Sequence, residues 1–235
     1  MVVYAGPGGN ADTHSHHAIQ LATSFDSPFD LELADRTTTC SAILIPSGVS
    51  HGFRSSSEQV LIALIEPLGT DGAALDQAAI DAGLDCLDWL PEPTAAQADV
   101  PESMIENVLR SLLPGNSFQA QPSPSPHVQA ALSYLDEAIA GKPRLEEAAS
   151  VAAISPSRLT HLFTQEVGIP FRKFVLWLRL RHVVDELSLG RNLTECAHAA
   201  GFSDSAHLSR VFRDHFGLPP SALLGMRVSP DAWPS

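Results

Sequence analysis

The chain has 235 residues, 44% of them hydrophobic, and a formal charge of −13. That is enough for two modest domains and is the composition of an ordinary globular protein, which excludes collagen-like and disordered classes. Its longest uninterrupted apolar run, VLIALI at 60–65, is far short of the roughly 20 residues that cross a bilayer as a helix.

Cys40, Cys86 and Cys196 are widely separated, with no CxxC pair, and read as free thiols in a reducing compartment. The opening MVVYAGPGG has neither the basic nor the apolar stretch of a secretory leader. A cytoplasmic location is therefore expected, with no membrane partner. Residues 1–126 hold three basic residues against sixteen acidic ones, whereas 127–235 hold eleven of each. The whole negative excess lies in the first half, so the two halves are expected to face different partners.

Along the chain, AIQLATSF, FDLELAD, TTTCSAILI and EQVLIALIEP are short, partly alternating apolar runs separated by Pro, Gly, Ser and Asp clusters. They predict a small β-rich domain over 1–70, a barrel or a sandwich. Within it, ADTHSHHAIQL places His14, His16 and His17 within four positions. On a strand, side chains alternate, so His14, His16 and Gln20 would share one face. His17 would point the other way, to solvent or to an interdomain surface. The turn in IPSGVSH could return His51 towards the same space. Three imidazoles and an amide from two segments suit a divalent transition metal. Two other uses are open, a metal-free pocket in which the histidines bind an organic effector and a purely structural role. Which of Ile19, Leu21, Phe29, Leu31, Leu33, Ile43 and Ile45 face inward is not fixed by alternation alone.

Over 71–113 the pattern turns helical. In PESMIENVLRSLL, Ile105, Val108, Leu109 and Leu112 share one face, either packed on its own domain or forming a homodimer seam over 101–113. PGNSFQAQPSPSP, 114–126, has four prolines and no apolar period, and predicts a semi-extended linker.

The remainder, 127–230, reads as all-α. LEEAASVAAISPSRLTHLFTQEVG and LTECAHAAGFSDSAHLSRVFRDHFG share one plan: a short helix, a tight turn and a second helix. Alanines allow close helix approach (Ala148, Ala149 and Ala152, then Ala197, Ala199 and Ala200), and Leu159/Phe163 and Leu208/Phe212 anchor the second helices at i, i+4. Small polar and basic residues are left facing outward, as entry into a DNA major groove requires.

These features resemble the AraC/XylS family of bacterial transcription regulators. The resemblance rests on SPSRLTHLF…VGIPF, the joining helix FVLWLRLRHVVDEL and above all AAGFSDSAHLSRVFRDHFGLPPSALL. It implies two helix-turn-helix units joined by a long helix and reading successive major-groove faces of double-stranded DNA. By position, the base-reading candidates are Ser157, Thr160 and His161, then Ser205, Ala206, His207 and Arg210. Arg210 is the strongest of them. Ser157 and His161 stand where the family often has a large or basic side chain. Arg158, Arg172, Lys173 and Arg213 lie in or beside the units and supply local positive charge to a domain of zero net charge, so binding should be strongly salt-sensitive. RNA polymerase would be a partner if the protein activates transcription.

The first half also resembles the cupin barrel. Gly8 is followed by His14, His16 and then Gln20 where a glutamate is usual, and Pro46, Gly48 and His51 fit the second cupin motif. Cys40 sits where that motif often has glycine, which puts a thiol near the barrel wall. The resemblance implies a metal or effector site at His14, His16, His51 and Gln20. The missing carboxylate disfavours Fe(II) and Mn(II) and favours Zn(II), Ni(II), Co(II) or Cu(II). The expected protein is thus a two-domain, non-enzymatic, effector-responsive regulator: an N-terminal all-β cupin-like barrel with added helices, and a C-terminal all-α tandem helix-turn-helix domain. The alternatives are a metal-dependent cupin enzyme fused to a DNA-binding module, and a DNA-binding protein without an effector.

Overall fold

The structure, a computed structural model, describes residues 2–87, 124–139, 141–223 and 227–229. Packing divides the chain into two units: Met1–Gln121 together with Phe212–Ser235, and Pro122–Val211. The expected C-terminal domain over 127–230 therefore contributes to both. The anticipated helix at 101–113 and most of the 114–126 linker lie outside the described residues.

Among the described residues the first unit has nine strands: β1 (Val2–Gly6), β2 (Asn10–His14), β3 (Ile19–Ser24), β4 (Phe29–Glu32), β5 (Thr37–Cys40), β6 (Ala42–Ile45), β7 (His51–Arg54), β8 (Val60–Ile65) and β9 (Arg227–Ser229). They form two sheets, ordered β6-β3-β8-β1-β9 and β2-β7-β4-β5, and every pairing is antiparallel. Among the described residues no strand pairing joins the two sheets into a closed barrel.

Two sequence expectations need correction here. TTTCSAILI read as one strand, but the chain breaks at Ser41, so that β5 and β6 belong to different sheets. The histidine stretch read as one strand from His14 to Gln20, yet β2 stops at His14 and β3 starts at Ile19. The turn between them is held by the Gly48 N–H, which donates to the His16 carbonyl at 2.9 Å.

β3 is buried at every position because it is covered on both faces. Ile19 and Leu21 join Leu44, Leu61, Ala63 and Ile65 in a cluster capped by Leu75 and Ala79 of helix α1 (Gly69–Asp81). On its other face, Ala22 joins Ile43, Ile45, Phe29, Leu31 and Phe53 in a core drawn from both sheets. Gln20, two positions from Ala22, shares that inner face.

The second unit is helical: α2 (Pro126–Ala138), α3 (Leu145–Val151), α4 (Pro156–Val167), α5 (Phe171–Ser188), α6 (Leu193–Ala199) and the first part of α7 (Ser205–Phe216). The helix ends are specified locally. Ser155 caps α4 by accepting from the Arg158 N–H, with proline at the first helical position. Asn192 and Glu195 form a capping box on α6. Leu159 and Phe163 are fully buried, and the Phe163 ring meets Phe171 and Phe174 edge-on, each at 5.3 Å. Phe163→Ala should therefore cost about 3–5 kcal/mol in a urea melt. A cost within the ordinary range of a surface substitution would show that this ring does not anchor α4.

Candidate functional site

His14 and His51 are cross-strand partners in β2 and β7, at a point where the register shifts between Ala11 and His14. Their ring centroids are 4.4 Å apart, and His16, beyond the end of β2, lies 5.5 Å from His14 and 5.4 Å from His51. The return of the chain is made by Pro46–Val49, where the Val49 N–H donates to the Pro46 carbonyl at 3.4 Å and Gly48 takes a φ of +76°. Glycine adopts that left-handed conformation without steric cost. One ligand-capable atom from each histidine lies within 4.8 Å of the other two.

The same device orients all three rings. His14 Nδ1 lies 2.7 Å from the Asp12 carbonyl, His16 Nδ1 2.9 Å from that of Ala18, and His51 Nδ1 3.0 Å from that of Val49. A carbonyl only accepts, so each Nδ1 carries the proton and each Nε2 keeps its lone pair. His51 is fully buried, and its Nε2 has no hydrogen-bond partner among the described residues. His16 Nε2 is 3.0 Å from Gln20 Oε1, an acceptor, so a free Nε2 lone pair on His16 requires the amide to turn its NH₂ to the ring instead.

Burial, reinforced by its neighbours His51 and His14, pushes the His16 pKa down to about 3. Burial followed by His14 lowers His51 to about 4, and burial lowers His14 as well. The cluster is therefore neutral near pH 7, with lone pairs rather than positive charge on offer. Neutral imidazoles backed by main-chain carbonyls are the donor set that transition metals take.

His17 departs from expectation. It is buried, and its Nε2 lies 3.0 Å from a Glu66 carboxylate oxygen. Because β2 ends at His14, strand alternation does not extend to His17. A neighbour that the sequence did not suggest is His215, in the C-terminal segment of the first unit, whose ring centroid is 6.5 Å from that of His16. In the same segment, a side chain at Gly217 would collide with the Asp12 carbonyl and the His14 ring.

In the helical part, Ser157, Arg158, Thr160, His161, Arg172, Lys173, Ala206, Arg210 and Arg213 are exposed, and Ser205 and His207 are half-buried. Thr160 spends its hydroxyl proton on the Pro156 carbonyl at 2.9 Å, leaving an acceptor outward. The His207 N–H donates to Asp204 at 2.7 Å, its ring nitrogen is 3.1 Å from the Ser203 hydroxyl, and its ring packs edge-on against Phe202. His207 is thus held by its own turn. Arg36, Arg54, Arg181 and Arg191 are paired with carboxylates. Among the described residues no carboxylate lies within ion-pair distance of Arg158, Arg172, Lys173, Arg210 or Arg213. Arg179, which sequence reasoning did not single out, donates from Nε to the Ala200 carbonyl at 2.6 Å and lies 4.4 Å above the Phe202 ring. It positions the turn between α6 and α7.

The depressed histidine pKa values carry a sign. Unfolded histidine titrates near ~6.5, so as pH falls below that value the unfolded chain takes up protons that the folded cluster refuses. Stability should decline from about pH 6.5 down towards about 4 for His51 and about 3 for His16. In urea melts with chelator present, His51→Gln should flatten that decline; an unchanged slope would contradict a neutral buried His51.

Residues 148–226 match the family described as a helix-turn-helix domain. The chain is 34% identical over 113 residues to the uncharacterized HTH-type transcriptional regulator YijO of Escherichia coli, covering 48% of this chain and 40% of that protein. It is 30% identical over 184 residues to the HTH-type transcriptional activator RhaS of Pectobacterium carotovorum, covering 74% of this chain and 65% of that one. The chain thus spans less than two thirds of the length of these relatives. Among solved structures, ToxT of Vibrio cholerae aligns over 95% of this chain at 13% identity with a TM-score of 0.55, both in an apo form, 96% covered, and, at 14% identity, in an unsaturated fatty acid-bound form, 94% covered. That likeness is one of fold, a sheet-rich N-terminal part followed by a helical C-terminal part. Residues 148–226 are a helix-turn-helix domain similar to those of transcriptional regulators.

Proposed function

We propose that the protein is an AraC-type transcription regulator that binds operator DNA through α4 and α7 and senses a divalent transition metal through His14, His16 and His51. The observation that carries the DNA reading is the sorting of cations. Arg36, Arg54, Arg181 and Arg191 are neutralised by carboxylates and Arg179 is committed to a main-chain carbonyl, whereas Arg158, Arg172, Lys173, Arg210 and Arg213 stand exposed on or beside the two helix-turn-helix units without a carboxylate among the described residues. Unneutralised cations on a recognition surface release counterions from phosphates, which compensates for a chain of net −13. The relatives are transcriptional regulators, which favours a regulator over an enzyme.

For the sensor, Zn(II), Ni(II), Co(II) or Cu(II) fits three neutral imidazoles, with Gln20 as a fourth ligand. The bound ion would supply a fixed positive charge and a coordination geometry; the chain supplies the carbonyls that aim the rings. A second reading is an organic effector, as in the ToxT structure that holds an unsaturated fatty acid. A carboxylate there would need cationic histidines, and burial holds His16 and His51 neutral. The donor chemistry therefore favours the metal. Both readings fit a cupin-like sensor domain. A homodimer and, for an activator, contact with RNA polymerase complete the proposal.

Arg210→Ala should weaken specific operator binding by about 1–3 kcal/mol in a fluorescence anisotropy titration, with little effect on the melting curve. Unchanged operator affinity would remove Arg210 from the reading set. Elemental analysis of untagged protein, or titration of the chelated protein, should find about one equivalent of one of the four metals. At a hundredfold excess over Kd that metal should add about 2.7 kcal/mol of stability, and His51→Ala should abolish both the stoichiometry and the gain. Absence of stoichiometric metal would eliminate the metal reading and leave the DNA reading standing.

A further inference from the structure

Cys40 and Cys86 are 46 positions apart in sequence, and neither takes part in the proposed regulation. Cys40 ends β5 and is buried; Cys86 is exposed, in the segment that follows α1. That segment is fastened to the β5–β6 corner. Arg36 donates to the Gly83 and Leu84 carbonyls, each at 3.2 Å, and the Leu87 N–H donates to the Ala42 carbonyl at 2.9 Å. The Cys86 thiol donates to the Thr39 carbonyl, with sulfur and oxygen 3.7 Å apart. Thr39 precedes Cys40, so this contact sets the Cys86 sulfur beside Cys40. An exposed thiol and a buried thiol are thus held side by side by the Arg36 and Leu87 bonds, which involve neither sulfur.

We infer that Cys40 and Cys86 are a reversible thiol-oxidation site, closing to an intramolecular disulfide when a peroxide reaches Cys86. In the first step the Cys86 sulfur attacks the peroxide; an S–O bond forms, the O–O bond breaks, and water leaves, giving the sulfenic acid. In the second the Cys40 sulfur, having lost its proton, attacks the Cys86 sulfur. The S–S bond forms as the S–O bond breaks, and the departing hydroxide takes up the Cys40 proton as water. Two thiols are oxidised and one peroxide is reduced to two waters. A dithiol reductant reverses the change by exchange. The product ties the segment behind α1 covalently to the corner where the two sheets part.

Burial, then the Cys86 contact and the charge of Asp30, push the Cys40 thiol up to about 12. Well below that value the thiolate fraction, and with it the closing step, should rise about tenfold per pH unit.

The test is oxidation of the full chain, purified reduced, with hydrogen peroxide, followed by alkylation and non-reducing peptide mapping. The expected result is a Cys40–Cys86 cross-linked peptide, formed faster at higher pH, reversed by dithiothreitol, retained in Cys196→Ser and absent in Cys86→Ser. The oxidised chain should also melt several degrees higher than the reduced one, because the bridge closes a long loop. Cys86 is exposed, so its serine variant folds irrespective of how Cys40 packs. Recovery of Cys40 fully alkylatable after denaturation would overturn the proposal. So would Cys86 ending as a sulfinic acid, or as a bridge between two chains.

Discussion

Three hydrogen bonds from imidazole Nδ1 atoms to main-chain carbonyls determine what the first unit can do. They consume the proton of each histidine on the backbone of its own turn, so that the Nε2 lone pairs of His14, His16 and His51 are the chemistry left over. At His14 and His51 these bonds by themselves favour the protonated ring, and burial outweighs them. Here burial and mutual proximity keep the rings neutral. The antiparallel pairing that sets His14 opposite His51 and the Gly48 turn that returns β7 serve the same end.

The helical part rests on a different constraint. Small residues at Ala148, Ala149, Ala152, Ala197 and Ala200 are all buried and let paired helices come close, while Phe163 anchors α4 against Phe171 and Phe174. Packing then uses one face of α4 and of α7 and leaves the other to solvent with its charge unspent. Arg179 is the exception that clarifies the rule: it is a cation committed to structure, bonded to the Ala200 carbonyl and stacked on Phe202.

Much of this was legible in the sequence. Ser155 before Pro156, Gly168 and Gly217 mark helix ends in the sequence itself, whereas the cap of α6 falls on Asn192 and not on Thr194, where the sequence pointed. The convergence of His14, His16 and His51 followed from spacing and from the Pro-Gly turn, although the strand argument used to reach it holds only for His14. His17 was misjudged because its pairing with Glu66, the residue after β8, is a contact between segments about fifty positions apart, which no alternation rule reports. The split of TTTCSAILI between two sheets was hidden for the same reason, since a strand run carries no mark of which neighbour it will pair with. Nothing in local pattern joined Cys40 to Cys86, or placed His215 near His16.

The proposal that these parts make a switch depends on a ligand preferring one state of the chain, because equal affinity for two states shifts nothing. The most direct measurement is operator affinity of metal-free and metal-loaded protein at one fixed salt concentration. The account predicts affinities that differ by about 5–150-fold, the usual span of allosteric coupling, with the difference abolished in His51→Ala. Equal affinities for the two forms, with metal bound in stoichiometric amount, would contradict it.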